Sequence, residues 1–220
     1  TKDWYPRCAS SWDRIQGTEE TYVLDDGSLT EDDCSLIRQV GCKIIEGEKI
    51  EKRVSKKIET YSSLKKMRER SSTFRKVVDT NVLFGGEDKI LLVDSDVYVR
   101  GKVRVPADAP DFLYVTADVS GYRGRAMLPL SYPMVVGFNA GFVFWSPSKV
   151  DLRFLNKIAE NYLLQVQNEF WTEQSAWSAL AGRADSKGAF DGRDVCNVGG
   201  LQKRSPQEVK ENVTKWFGSN

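Results

Sequence analysis

The 220-residue chain contains no histidine at all. The loss of imidazole removes the commonest general base, the Ser-His and Cys-His nucleophile systems and most zinc chemistry. Cysteine is sparse: Cys8, Cys34, Cys42 and Cys196 show neither CxxC spacing nor the density of a disulfide scaffold. That usage points to a reducing compartment, with a cytoplasmic location as the expectation, and argues against structural zinc. No apolar run approaches the roughly 20 residues of a bilayer span, so no transmembrane segment is expected. Charge of either sign is not in excess, with 32 basic and 31 acidic residues and a net charge of +1. A global pull toward nucleic acid is therefore absent, and none is expected as a partner. What is present is ordinary for a globular protein, 40% hydrophobic and 29% charged, and the length allows one α/β domain with a buried core.

Local patterns fill in that frame. "ETYVLDDGSLTEDDCSLIRQVG" predicts a strand from Thr21 to Leu24, a turn through Asp26 and Gly27, and a helix capped by Thr30 that stops at Gly41. Glu31, Asp32 and Asp33 suit the first turn of that helix, where the backbone dipole favours negative charge. "CKII" reads as a second short strand. Residues 43–76 then carry twelve basic against five acidic side chains, a net of +7. Two readings of this run stay open, a solvated helical face or a basic rim over an anionic ligand. "FLYVTAD" is a strand ending on Asp118, and "VVGFNAGFVFW" is strand-like with Gly137 and Gly141 marking close backbone approach. Ser146-Pro147 opens a predicted helix whose core stripe is Val150, Phe154, Leu155, Ile158, Tyr162, Leu163, Val166 and Phe170. "SPQEVKENVTKWF" predicts a short last helix. Strands alternating with helices imply a mostly parallel sheet covered by helices on both faces. In such sheets ligands bind beyond the carboxyl ends of the strands, where Asp25, Asp26, Asp94, Asp96 and Asp118 are all expected.

The sharpest feature is "KILLVDSDVYVRGKVRVP", which sets four apolar residues directly against Asp94 and Asp96. Two carboxylates facing one cavity repel, and a cation must offset that repulsion. A hard divalent ion, Mg²⁺ or Mn²⁺, holding a diphosphate is the economical answer. The same stretch also fits the haloacid-dehalogenase-type phosphatases, in which the first Asp is a nucleophile. There, however, the motif opens the chain and an acidic pair follows downstream, which this sequence does not match.

The ordered blocks "YVLDDGSLTEDD", "STFRKVV", "KILLVDSDVYVRGKV", "FLYVTADVSGY", "FNAGFVFWSP" and "WTEQSAWSAL" resemble the GT-A glycosyltransferases. The likeness is greatest to the retaining enzymes of glycosyltransferase family 8, the lipopolysaccharide galactosyltransferase and glycogenin type, and covers roughly residues 1–182. The resemblance implies a GT-A, Rossmann-like α/β domain over residues 1–220. The family's first strand would fall before Thr1, and the family's C-terminal His-x-x-Gly-x-x-Lys-Pro-Trp block has no counterpart. It implies transfer of a hexose from a nucleotide-diphosphate sugar such as UDP-hexose to a hydroxyl of a glycan or other acceptor, with retention.

By the same resemblance Asp94 and Asp96 bind Mn²⁺ or Mg²⁺, and Asn139, Ala140 and Gly141 line the donor and acceptor cleft. Glu173 and Gln174 meet the sugar near its anomeric carbon and are the candidate catalytic pair. Asp118 touches sugar hydroxyls, Tyr5 stacks on the base, and Arg75, with Lys76 as an equal alignment, supplies the basic residue before the metal strand. A non-catalytic nucleotide-sugar-binding domain of a larger assembly stands as the alternative from a different class.

Overall fold

The structure is a computed structural model that describes residues 8–16, 20–87, 89–95, 97–99, 101–105, 108–116, 132–165, 170–190 and 195–197. The candidates Asp96, Asp118 and Tyr5, and the predicted last helix, lie outside the described residues. The described chain is mixed α/β. Its strands are β1 (Ile15–Gln16), β2 (Tyr22–Leu24), β3 (Lys43–Ile45), β4 (Ile90–Val93), β5 (Val97–Val99), β6 (Val103–Arg104), β7 (Phe112–Thr116), β8 (Phe138–Trp145), β9 (Lys187–Ala189) and β10 (Val195–Asn197). Its helices are α1 (Glu31–Gln39), α2 (Gly47–Lys57), α3 (Ser62–Arg70), α4 (Ser72–Leu83), α5 (Leu152–Asn161) and α6 (Phe170–Arg183). No helix among the described residues is long and apolar enough to cross a membrane.

Local chemistry sets the helix ends. Thr30 and Asp33 form a reciprocal capping box that opens α1 among the acids that suit its positive end. Ser71 accepts from the Phe74 N–H at 3.2 Å and starts α4, while Asp151 caps α5. The start of α3 has no local cap. Asn156 of α5 supplies one, its Oδ1 accepting from the N–H groups of Ser63 and Leu64, each at 3.1 Å. The single long helix expected after Ser146-Pro147 is instead a 3₁₀ turn at Pro147–Lys149, then α5, then a 3₁₀ turn at Leu163–Gln165. The Asp151 side chain caps too late for the helix to begin at the proline, and Tyr162 leaves helical geometry at the far end. From Val150 to Leu163 the stripe is core nonetheless, with Leu155, Ile158 and Leu163 buried, while Val166 lies outside the described residues.

The largest sheet has the order β4-β8-β7-β9. β8 runs antiparallel to both neighbours and only β7 and β9 pair in parallel, so the expected mostly parallel central sheet is not what the described strands build. The strands of β2-β3 and β1-β6 pair in parallel as separate small sheets, and β5 pairs antiparallel with β10. Nor do the described residues show helices on both faces. Helices α2 to α6 cover one face, where Phe112, Phe138, Ala140, Val143 and Trp145 share a core with Val54, Leu64, Phe74, Leu155 and Trp177. The other face is covered by strands, with Phe142, Leu91 and Val93 against Ile15, Val97, Val99 and Val103.

A register shift within the β7–β8 ladder positions the site. Tyr114 pairs with Val143 but Val115 with Asn139, so Ala140, Gly141 and Phe142 have no partners on β7. Such a bulge bends the strand and changes which residues face which way. Phe138 and Ala140 face the helical core before it, Val143 and Trp145 after it, and Phe142 faces the opposite core.

Candidate functional site

At the carboxyl end of β4 the chain turns sharply, with Asp94 O accepting from the Val97 N–H at 3.0 Å. The Asp94 N–H donates to Gly141 O at 2.8 Å, tying the first acid of the motif to the bulge of β8. Within the bulge, Asn139 Oδ1 accepts from the Gly141 N–H at 2.8 Å. Asn139, Ala140 and Gly141 are therefore brought beside Asp94, and the amide oxygen of Asn139 is spent on holding the bulge rather than offered to a ligand.

Two helices complete the site. Lys76 of α4 places Nζ 2.8 Å from Asp94 Oδ1 and 2.8 Å from Glu173 Oε1 of α6. The contact to Asp94 is a hydrogen bond. The contact to Glu173 is an ion pair without hydrogen-bond alignment, which leaves Oε1 without a directed donor. The Glu173 side chain is only 7% exposed, against 32% for Lys76 and 23% for Asp94, so the glutamate forms the floor and the other two form the wall. One turn along α6, the indole N–H of fully buried Trp177 acts on the Glu173 carboxylate and favours its charge, but falls short of full hydrogen-bond alignment. Trp177 packs edge-on against Trp145 at 4.8 Å between ring centroids, and the Trp145 N–H is satisfied by Asn81 Oδ1 at 2.9 Å. Gln174, half-buried, is the next residue along the helix.

Burial and charge pull these groups apart. Burial pushes the Glu173 carboxyl up to about 7, against the opposing pull of Lys76, and Asp94 pushes in the same direction as burial. Burial also works against the Lys76 charge, but the two carboxylates, Glu173 first, outweigh it and hold the ammonium above its usual range. The lysine stays charged because two acids share it. Glu173, with half of one lysine and little water, is the acid whose charge is most costly to keep.

Arg75 goes elsewhere. Its Nε donates to Arg68 O at 3.3 Å, and its charge acts on Asp26, Glu51 and Asp79. Of the two alignments, Lys76 is the basic residue that the structure places against Asp94. A single helical step of about 100° separates the two side chains, and only packing of Phe74, Val77 and Val78 decides which one faces the sheet. Trp177 is the residue that sequence reasoning missed. Its spacing of four from Glu173 was the available signal, since such a pair shares a helix face. Asp25 and Asp26 serve the turn after β2. Asp25 Oδ1 accepts from the Gly27 N–H at 2.8 Å and Asp26 Oδ1 from the Ser28 N–H at 3.1 Å, around a Gly27 with φ of 91°.

Among the described residues no group of three or more Asp, Glu, Cys or His side chains is placed to hold a metal ion. What the described rim does offer is one hard carboxylate at a strand end, Asp94, and a second cation-holding carboxylate, Glu173, facing the same ammonium. Oxygen donors of this kind suit Mg²⁺ or Mn²⁺ and do not suit a soft metal. No family model matches the chain, and no curated protein matches it.

Proposed function

We propose that the chain is a nucleotide-sugar-dependent hexosyltransferase that moves a hexose, with UDP-hexose as the donor class, to a hydroxyl of a glycan or other acceptor. One observation carries this reading: side chains or backbone from residues 76, 94, 139–141 and 173, which lie in four blocks of the glycosyltransferase family 8 resemblance, meet at one rim. Nothing about sequence separation requires that, since almost a hundred residues lie between Lys76 and Glu173.

Breaking the bond between an anomeric carbon and a diphosphate leaves positive charge on the sugar and negative charge on the leaving group, as at glycosidase transition states. The Lys76 ammonium is the described positive charge available to the leaving diphosphate. Glu173 lies behind it and fixes its position, and Gln174 offers an amide to orient the sugar. Mn²⁺ or Mg²⁺ belongs to this reading as added neutralisation for the diphosphate, with Asp94 as the described residue to hold it. Holding donor and acceptor in register supplies much of the remaining rate.

The test is release of nucleoside diphosphate from a panel of nucleotide sugars with Mn²⁺, read by mass spectrometry, in the unmodified chain and in Asp94→Asn. Turnover that falls about a hundredfold or more in the variant, and a product that keeps the donor's anomeric configuration by NMR, support the reading. Binding without turnover favours the alternative of a nucleotide-sugar-binding domain, which draws support from the engagement of Glu173 by Lys76. Release of phosphate from a phosphomonoester, with nucleotide sugars untouched, would instead favour the phosphatase alternative.

A further inference from the structure

The Asp94 rim already holds a cation, and it is part of the chain. Lys76 Nζ stands 2.8 Å from a carboxylate oxygen on either side, the arrangement in which two acids share one positive charge. We propose that Lys76 is the resident counter-ion of this rim: its ammonium occupies Asp94 Oδ1 in the free protein and yields that oxygen when a divalent ion binds, so that lysine and metal ion exclude one another at Asp94. The inference rests on the reading of Asp94 as a metal-holding residue and adds what the chain does when the metal is not there.

Three features carry it. The grip on Lys76 is unequal in kind. Asp94 is the more exposed partner and is reached from solvent, whereas Glu173 is nearly sealed and exerts the larger charge–charge attraction on the ammonium. The lysine can therefore leave Asp94 while keeping its buried partner. Second, the residue is a lysine, a single point charge on a flexible stem, and not the rigid two-pronged guanidinium that would lock onto one carboxylate. Third, the charge count changes sign. The three described groups sum to −1 with the lysine on both acids, and to +1 once a divalent ion is added. The ion adds two units of positive charge at the rim, which favours an anionic ligand at that moment. Ion and diphosphate donor then reinforce each other's binding, as linkage requires in both directions.

The experiment is calorimetry of Mn²⁺ alone against the full chain, without donor. Lys76→Met should tighten Mn²⁺ binding about tenfold or more, since the competing charge is gone, and adding Asp94→Asn should abolish that gain. Because Lys76→Met leaves Glu173 buried without its partner, Lys76→Met/Glu173→Gln serves as the second variant and should show the same gain. In the unmodified chain, Mg²⁺ should shift the NMR resonance of the Lys76 side chain. Mn²⁺ affinity that is unchanged or weaker in both variants, or a Lys76 resonance indifferent to Mg²⁺, would overturn the proposal. None of these readouts depends on sugar transfer. A chain that turns over no nucleotide sugar yet shows the gain keeps the inference and loses the reading of its function, and a chain that turns over donor without the gain does the reverse.

Discussion

Two ionic groups lie within one helix length of each other, and each sets one basic residue between two acids. In the first, Arg68 of α3 gives Nε to Asp79 Oδ1 at 2.6 Å and Nη2 to Asp79 Oδ2 at 3.1 Å, and Nη1 reaches Glu51 Oε2 at 2.7 Å. All three guanidinium nitrogens are used, both Asp79 oxygens are used, and the partners come from packed helices α2, α3 and α4. The second group, Lys76 with Asp94 and Glu173, spans a helix, a strand end and another helix. It has one directed hydrogen bond, one misaligned ion pair and a buried indole N–H that acts on the Glu173 carboxylate short of full hydrogen-bond alignment. Arg75 and Lys76 are adjacent in sequence, yet the former serves the first group and the latter the second. A closed network with every guanidinium nitrogen engaged is how a chain fixes helices against one another. An open one with surplus bonding capacity is how it keeps a place for something else.

Breaking the closed group should have the largest effect on stability. Arg68→Met strands the buried Asp79, and unfolding free energy in a denaturant titration should fall by about 3–5 kcal/mol. A loss under about 1 kcal/mol, the size of a surface pair, would erase the contrast between the two groups.

The open group is broken more gently, by pH. Glu173 has a folded-state value of about 7 against an ordinary glutamate value of 4.5, so the folded chain binds this proton more tightly than the unfolded one. Its contribution to stability is then full below about 4.5, declines as pH rises to about 7, and stays lost above. Glu173→Gln removes this group's titration. The difference in stability between variant and unmodified chain should move in the variant's favour by roughly 2–3 kcal/mol between pH 4 and pH 8. A difference that is flat with pH, or of opposite sign, would mean that the glutamate is not the strained member.

The smallest stability effect is expected at the wall. Asp94→Asn removes a partly exposed partner, and its stability should stay within about 1 kcal/mol of the unmodified chain. A larger loss would place Asp94 with Asp79 among residues that hold the fold, and would sharpen the comparison by moving one acid across it.

These expectations show where the sequence was readable. The strand "ILLV", the Thr30-capped helix and the acid at the strand end could be read because they are set by neighbours a few residues away. The antiparallel placing of β8, the β layer on the second sheet face and the division of α5 from the helix after it could not. Each depends on which distant segment wins a given face. The cap of α3 makes the point most plainly, because the acceptor that completes it, Asn156, stands 92 residues from Leu64. At the site the same division applies. The acid types were legible, while the choice of Lys76 over Arg75 and the sealing of Glu173 beside Trp177 were settled by packing.

The unpaired residues of β8 bear on how this chain tolerates changes of length. A strand ordinarily carries its in-and-out alternation from end to end, so one residue gained or lost turns every later side chain over. Here the alternation changes phase at residues 140–142, between Phe138 and Ala140 on one side and Val143 and Trp145 on the other. Deletion of a single residue inside this span would force Trp145 out of step with Ile90 or else withdraw Gly141 from Asp94. The three residues thus act as a spacer whose count is fixed at both ends, by a core on one side and by the acid of the rim on the other. A change in their number disturbs both ends at once, and that constraint on length is a signature to look for in any set of related chains.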